Sequence, residues 1–241
     1  MEANHINYDY EKSFERIDKI LETSDNSFEE LKEVPSRDKL TYTNGFYVDC
    51  SALFVDIRNS SDLTSKHKRP KLAKLYRAYI SEIVAVMNGN DKCAEISIIG
   101  DCVSGIFDTP IKSDIRELFS TGARIGSLIK TLNCKLRKKS IEEIKVGIGI
   151  AYGRALMVKA GYSGSGINDI VWMGDVVNKA SKLANYGNQT ISDKEMMVSN
   201  SIYINLDDHR KSLLEWNFYR DCYHGNVIRI VMEEWYNKNC K

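Results

Sequence analysis

Hydrophobic and polar residues alternate along the chain with two different periods, one typical of strands and one typical of helices. Apolar residues in short continuous runs predict buried strands, and apolar residues that return every three or four positions predict helices. The predicted elements are, in order, a strand at 47–57, a helix at 63–87, strands at 94–99 and 102–107 joined by a tight turn at Gly100-Asp101, a helix within 109–139 and a strand at 145–152. This β-α-β-β-α-β order predicts an α+β fold with a ferredoxin-like core.

Further elements precede and follow this core. Phe14, Ile17 and Leu21 stand at helical spacing and predict a short amphipathic helix over about 9–22, and Pro35-Ser36 then interrupts the pattern. We therefore expect residues 1–40 to form an N-terminal helical arm and residues 41–241 to form one domain. The additions expected after the core are strands at 155–160 and 169–173 joined by a loop, a helix at 177–186, and a final pair of strands within 216–235.

Composition excludes several classes of protein. The 34 Lys and Arg residues nearly balance the 33 Asp and Glu residues, and a net charge of +1 argues against bulk electrostatic binding to nucleic acid or to an anionic membrane. No apolar run approaches the roughly 20 residues of a membrane span, and no apolar signal segment begins the chain. The expected location is therefore the cytoplasm. Of the six cysteines, Cys50 and Cys102 lie in apolar strand-like runs and are expected to be buried free thiols, although an even count allows disulfides.

Two aspartates at strand ends are the first chemical signal. Asp56 ends a buried strand and Asp101 lies in the predicted hairpin turn. In a β-α-β-β-α-β core the first strand and the hairpin are neighbours, so the two carboxylates can meet at one end of the sheet. Such a pair suits Mg²⁺ or Mn²⁺, which prefer oxygen ligands and leave positions open for phosphate. The alternative is that Asp56 caps the next helix and Asp101 is a plain turn residue.

A small polar loop follows Asp56 and consists of Ile57, Arg58, Asn59, Ser60 and Ser61. It leads into the predicted helix, whose first backbone N–H groups favour a phosphate. Many helices begin with similar residues, so this loop by itself indicates little.

Four motifs in order resemble those of class III nucleotidyl cyclases. The resemblance covers about residues 45–235, nearly the whole chain after the arm. The motifs are Phe54-Val55-Asp56-Ile57, Ile99-Gly100-Asp101, Val146-Gly147-Ile148-Gly149-Ile150, and the run from Met173 to Leu183 with Gly174-Asp175 and Asn178.

The resemblance implies roles for individual residues. Asp56, Asp101 and the Ile57 carbonyl would hold two divalent cations, Mg²⁺ or Mn²⁺, and Asn178 would orient the ribose. Lys182 stands where the family has an arginine, and it keeps the charge but lacks the planar fork. A distal phosphate-binding position would fall at His224. The family also builds its active sites between the subunits of a homodimer, and this chain contains both halves of such a site.

The base pocket departs from the family pattern. Adenylyl cyclases of this class have Lys and Asp or Thr, and guanylyl cyclases Glu and Cys, where this chain has Ser97 and Val171. The chain also resembles the bacterial pyrimidine cyclases of antiphage defence, which make cyclic UMP or cyclic CMP for a separate effector protein. Under this hypothesis Tyr47 could reach the base, the alternative being an ordinary aromatic residue of the strand. Arg58 could contact phosphate, the alternative being a solvated arginine. A purine cyclase with unusual base contacts and an inactive nucleotide-binding dimerisation module also remain open.

Overall fold

The computed structural model describes residues 2–66 and 69–240, and its elements follow the predicted order. The strands are β1 (Phe28–Leu31), β2 (Gly45–Ile57), β3 (Cys93–Ile99), β4 (Cys102–Phe107), β5 (Val146–Tyr162), β6 (Ile167–Met173), β7 (Met196–Val198), β8 (Glu215–Asn217) and β9 (Cys222–Gly225). The helices are α1 (Tyr10–Leu21), α2 (Ser60–Lys66), α3 (Arg69–Asn88), α4 (Lys112–Arg137), α5 (Asp175–Tyr186), α6 (Asn200–Tyr203), α7 (Asp208–Lys211) and α8 (Ile230–Cys240). None of the helices in these described ranges is long and apolar enough to cross a membrane.

The strands form one mixed sheet in the order β3-β4-β2-β5-β7-β9-β8, with β1 paired to β2 and β6 paired to β5. Successive side chains of β2 point to opposite faces of this sheet. Leu53, Val55 and Ile57 join the main core with residues of α3 and α4. Cys50 and Ala52 point the other way and pack with α5. The alternation places Asp56 on the α5 face, which is the face that carries the candidate site.

Two predictions in the middle of the chain differ from the structure. The helix expected at 63–87 is described as α2 and α3, on either side of residues 67 and 68, which lie outside the described residues. The separate strands expected at 145–152 and 155–160 are one strand, β5, because nothing interrupts its ladder. Gly153, which lies between the two expected strands, pairs directly with Cys50 of β2.

The C-terminal region holds more elements than predicted. The expected strand pair is present as β8 and β9, but the residues from Ile230 onward form α8 and not a strand. Three further elements, β7, α6 and α7, were not predicted, because elements of three or four residues are too short to show a period. A disulfide between Cys134 and Cys240, which the sequence did not indicate, links α8 to α4. Cys50 is a buried free thiol, as expected, whereas Cys102 is a free thiol that is only partly buried.

The N-terminal segment is more than a helical arm. Its strand β1 pairs in parallel with the start of β2, and Leu40 is buried in a small cluster with Phe46. Helix α1 lies near the tip of the β5–β6 hairpin, where the Arg16 guanidinium stands 4.7 Å from the ring centroid of Tyr162. The segment therefore contributes to the sheet and places residues 34–40 beside it.

Candidate active site

Asp56 and Asp101 lie at the same end of neighbouring strands. Asp56 is the penultimate residue of β2, and Asp101 lies in the turn that joins β3 to β4. The turn is tight because Gly100 adopts a left-handed conformation, with φ of 62°. Since β4 pairs directly with β2, the turn brings the two carboxylates close enough to interact. Burial raises the pKa of Asp56, the Arg58 charge opposes this, and the Asp101 charge adds to it.

Asp101 carries an oxygen that the described residues leave without a partner. Its Oδ2 atom is buried and accepts no hydrogen bond among them. Buried acceptors are normally satisfied, so an orphan of this kind indicates a missing ion, water or ligand.

Arg58 already neutralises part of the Asp56 charge. Its Nη2 donates to Asp56 Oδ2 at 2.5 Å, and its Nη1 donates to the Asn185 carbonyl at 2.6 Å. The guanidinium side chain is only 10% exposed, so the alternative of a solvated arginine is wrong. Arg58 thereby ties the end of β2 to the end of α5.

Helix α5 is held against the sheet by two glycines of the Val-Gly-Ile-Gly-Ile motif. A Cβ atom on Gly147 would lie 1.9 Å from the Ala184 carbonyl oxygen, and one on Gly149 would lie 2.1 Å from the Ala180 carbonyl oxygen. Only glycine permits this approach of a helix backbone to a strand. Glycine inside a strand often marks the close approach of another backbone, and here that backbone is the one of α5.

This packing turns one polar face of α5 toward Asp56. Asn178, Ser181, Lys182 and Asn185 recur at helical spacing and line a cavity of about 500 Å³ together with Asp56. Phe54 and Cys102 complete its wall from β2 and β4. Sequence reasoning singled out Asn178 and Lys182 but missed Ser181 and Asn185, which their spacing from Asn178 would have found.

The polar loop after Asp56 lines a second, adjoining cavity of about 310 Å³. Asn59 has a φ of 53°, a left-handed conformation that asparagine tolerates better than most residues, and its carbonyl accepts a hydrogen bond from the Asp62 N–H at 3.0 Å. This turn starts α2 at Ser60, three residues earlier than expected. The predicted loop residues are therefore together, and the lining consists of Asp56, Ile57, Arg58, Asn59, Ser60 and Ser61 with Asn185, Asn188 and Gln189.

The residues at the sheet end fit a divalent cation. They offer two carboxylates and the Ile57 carbonyl, which are hard oxygen ligands of the kind that Mg²⁺ and Mn²⁺ bind. The Ile57 side chain is buried in the main core, so its carbonyl is the only group it can offer. No cluster of three or more acidic, His or Cys side chains suited to a metal occurs within 2–66 and 69–240. Any cation here would therefore need ligands from phosphate or water as well.

Two predicted substrate-binding residues lie away from this cavity within the protomer. Tyr47 is on the opposite face of β2 from Asp56 and nine residues earlier, roughly 30 Å along the strand, where the Arg154 guanidinium covers its ring at 4.3 Å. His224 lies on β9, 5% exposed, and its Nδ1 accepts a hydrogen bond from the Lys194 N–H at 3.2 Å. Burial lowers the pKa of His224, the Glu215 carboxylate opposes this, and its Nε2 lies 3.3 Å from Glu215 Oε1.

The two base-pocket positions are exposed. Ser97 pairs with Ser104, which pairs with Phe54, so Ser97 lies on the α5 face of the sheet. Val171 is 37% exposed on β6. The structure therefore leaves both positions accessible to a ligand.

Comparison with known proteins shows the family to which the sequence is similar. Residues 44–218 match the family model described as adenylate and guanylate cyclase catalytic domain. A protein of Gulbenkiania mobilis named uridylate cyclase is 41% identical, covering 99% of this chain and 100% of that protein. A second uridylate cyclase, from Treponema porcinum, is 40% identical, covering 97% of this chain and 82% of that protein.

Solved structures share the same architecture. The crystal structure of the adenylyl cyclase CyaB from P. aeruginosa has a TM-score of 0.60 at 22% identity, covering 71% of this chain and 85% of that chain. At this identity the likeness concerns the fold, whereas the family model and the full-length relatives concern the sequence. Together they show that this chain belongs to the family of adenylate and guanylate cyclase catalytic domains.

Proposed function

We propose that this chain is a cyclase that converts a pyrimidine nucleoside triphosphate, UTP or CTP, into its 3′,5′-cyclic monophosphate and pyrophosphate. The observation that carries the proposal is that Asp56 and Asp101 meet at one end of the sheet while α5 presents Asn178 and Lys182 on one polar face. The uridylate cyclases that resemble the chain over nearly its full length support the pyrimidine substrate.

Each of these polar groups would have a defined role in this reaction. Asp56, Asp101 and the Ile57 carbonyl would hold two divalent cations, which when bound lower the pKa of the ribose 3′-hydroxyl and neutralise the triphosphate. The Asn178 amide would orient the ribose so that this hydroxyl lines up with the α-phosphorus. The Lys182 ammonium would stabilise the charge that develops on the α-phosphoryl oxygens.

The loop after β2 would hold the rest of the triphosphate. Asn59, Ser60 and Ser61 line the adjoining cavity and present backbone and side-chain groups there. Arg58 has its guanidinium on Asp56 and would share that carboxylate with a cation or release it to meet phosphate. The pyrophosphate would leave through this second cavity.

Assembly and cellular role complete the proposal. We infer a homodimer in the cytoplasm with shared active sites, because the family resemblance assigns the aspartates to one subunit and the Asn178 helix to the other. The cyclic product would be read by a separate cyclic-nucleotide-binding effector in antiviral defence. Neither nucleic acid nor membrane is a partner in this scheme.

An inactive nucleotide-binding module is the second candidate. It is favoured by the Arg58–Asp56 ion pair, which competes with a cation, and by Lys182 in place of the family arginine. Adenylate or guanylate cyclase activity with unusual base contacts is a further alternative within the family.

Incubation of the purified protein with Mn²⁺ and each of the four ribonucleoside triphosphates, followed by chromatography, separates these candidates. We expect a cyclic product from UTP or CTP and little from ATP or GTP. Dominant cyclic AMP or cyclic GMP would overturn the pyrimidine assignment. The absence of any cyclic product, with nucleotide binding retained, would favour the inactive module.

A further inference from the structure

A polar cluster on the α5 face of the sheet has no part in the proposed chemistry at Asp56. Arg37 from the N-terminal segment contacts Glu95 of β3 and Asp169 of β6, and Trp172 of β6 lies close to Glu95. Arg37 Nη2 donates to Glu95 Oε1 at 2.7 Å and to Asp169 Oδ1 at 3.1 Å. The Glu95 side chain is 13% exposed, whereas Arg37 and Asp169 are more than half exposed. The cluster is therefore open to solvent on one side only.

Several hydrogen-bond donors of the cluster have no acceptor among the described residues. Both hydrogen bonds that the Arg37 side chain makes within the described residues use Nη2, so Nη1 and Nε are left for another acceptor. The indole Nε1 of Trp172 is buried and makes no hydrogen bond of standard geometry with the described residues. Burial raises the pKa of the neighbouring Glu95 carboxyl, and the Arg37 charge and the Trp172 indole oppose that rise. An unsatisfied buried donor beside a buried carboxylate indicates that a ligand belongs there.

The cluster also lies on the sheet face that the nucleotide would occupy. Glu95 pairs with Ile106, and Ile106 pairs with Ala52, so Glu95 shares the face of Asp56. It is four residues back along the strands and two strands across, a Cα separation of roughly 16 Å, which a bound nucleoside triphosphate can span. Trp172 packs in the same hydrophobic cluster as Phe54, which lines the Asp56 cavity. The cavity and the polar cluster are thus continuous through these two aromatic side chains.

We propose that Arg37, Glu95 and Trp172 read the base edge of the substrate and select uracil. Arg37 presents a donor, Glu95 an acceptor and Trp172 a donor. The edge of uracil is complementary, because its O4 and O2 are acceptors and its N3–H is a donor. Glu95 would accept from N3–H, while the guanidinium and the indole would donate to the two carbonyl oxygens. This inference rests on the proposed function and narrows its substrate from UTP or CTP to UTP.

The other bases meet this edge less well. Cytosine turns a lone pair of N3 toward the Glu95 carboxylate and an amino group toward one of the donors. Guanine matches at two of the three positions but presents an amino group at the third. Because a mismatched base leaves buried polar groups unpaired, a discrimination of about 10- to 100-fold is expected from each lost contact.

Glu95→Gln tests the central contact, because the amide can donate to cytosine N3 but keeps the size of the side chain. We expect kcat/KM for UTP to fall about 10- to 100-fold while kcat/KM for CTP stays constant or rises. Trp172→Phe removes the indole N–H and keeps an aromatic ring, and it should lower the UTP value without raising the CTP value. Glu143→Gln, which breaks an exposed ion pair with Arg137 at the end of α4, is the matched control and should change neither value.

The outcomes distinguish this inference from the proposed function. A wild-type protein that cyclises no pyrimidine nucleotide would overturn the proposed function itself. A wild-type preference for CTP, or a Glu95→Gln variant with an unchanged UTP-to-CTP ratio, would overturn the base-reading role and leave the cyclase assignment intact. An equal loss for both nucleotides leaves that ratio unchanged and therefore also overturns the base-reading role. If the melting temperature falls as well, the cluster only anchors the N-terminal segment, and an unchanged ratio in Trp172→Phe would confirm that outcome.

Discussion

The carboxylates Asp56 and Asp101 carry charge that the protein itself balances only in part. Arg58 pairs with Asp56, but Asp101 keeps a buried oxygen without a partner among the described residues. Burial raises the pKa of Asp56, and the neighbouring Asp101 charge adds to that rise because the two charged forms repel. Such an arrangement is typical of a site whose cations arrive with the substrate.

Asp101→Asn is expected to separate catalysis from stability. The amide lacks the negative charge with which the carboxylate holds a divalent cation, so we expect turnover to fall by about 100-fold or more. Removal of one of two neighbouring acids should leave the free energy of unfolding within about 1 kcal/mol of the wild-type value. Activity assays and denaturant unfolding measure the two effects.

Asp91→Asn is the control for this substitution, because Asp91 lies in the exposed turn before β3. It should leave both turnover and stability unchanged. Full activity of Asp101→Asn with Mg²⁺ or Mn²⁺ would refute the cation site.

Secondary-structure elements decide whether the residues of α5 can reach Asp56. The helix lies directly on β5 because Gly147 and Gly149 leave room for its backbone. The polar face that carries Asn178 and Lys182 is therefore set by two residues that have no side chain and no direct role in the chemistry. The same closeness makes the site sensitive to any added volume at this contact.

Gly149→Ala should displace α5. The new Cβ would lie 2.1 Å from the Ala180 carbonyl oxygen and 2.2 Å from the Ala184 nitrogen, so the helix must shift. We expect the free energy of unfolding to fall by about 1–3 kcal/mol. A displacement of about 1 Å can also lower turnover by about 100-fold.

Gly153→Ala on the same strand is the matched control. Its Cβ would meet only the Val176 side chain, at an ordinary contact distance of 3.7 Å. Thermal unfolding and activity of the two variants, measured in parallel, test the packing argument. Equal effects of the two substitutions would contradict it.

At the scale of the whole molecule, the arrangement of subunits is the main question. One protomer already lines a single cavity with Asp56, Asn178 and Lys182, so the structure of the chain alone is compatible with a site within one subunit. The family resemblance instead implies that each site combines groups from two subunits. The chain contains both sets of groups, so two equivalent sites would form in a symmetric dimer.

Mixing two inactive variants distinguishes these arrangements. We expect Asp56→Ala and Lys182→Ala each to abolish turnover. If sites are shared, a mixed dimer keeps one site with both groups intact, and an equimolar mixture should recover about one quarter of wild-type activity. Activity of the mixture after co-refolding, compared with each variant alone, measures this. No recovery from a mixture that forms mixed dimers would place each site within one subunit.

Much of the fold followed from local pattern. The core order, the hairpin at Gly100-Asp101 and the polar loop after Asp56 were predictable because each depends on periodicity or turn residues close together in the chain. The short C-terminal elements, the continuity of β5 and the Cys134–Cys240 disulfide were not, since they depend on partners far away in sequence. Residues of the candidate site could be named where a motif marked them, as at Asp56, Asp101, Asn178 and Lys182, and their roles stay predictions.

The sequence by itself determined the order of the elements and the chemical groups available, because these are local properties of the chain. Only the tertiary structure decided which groups meet. In the folded chain Arg58 pairs with Asp56 and is not solvated, and Tyr47 and His224 lie away from the cavity. Arg37 contacts Glu95, which is 58 residues later in the sequence. The physical reason is that sheet register and strand order fix the face and the distance of every side chain, and both are set by long-range pairing.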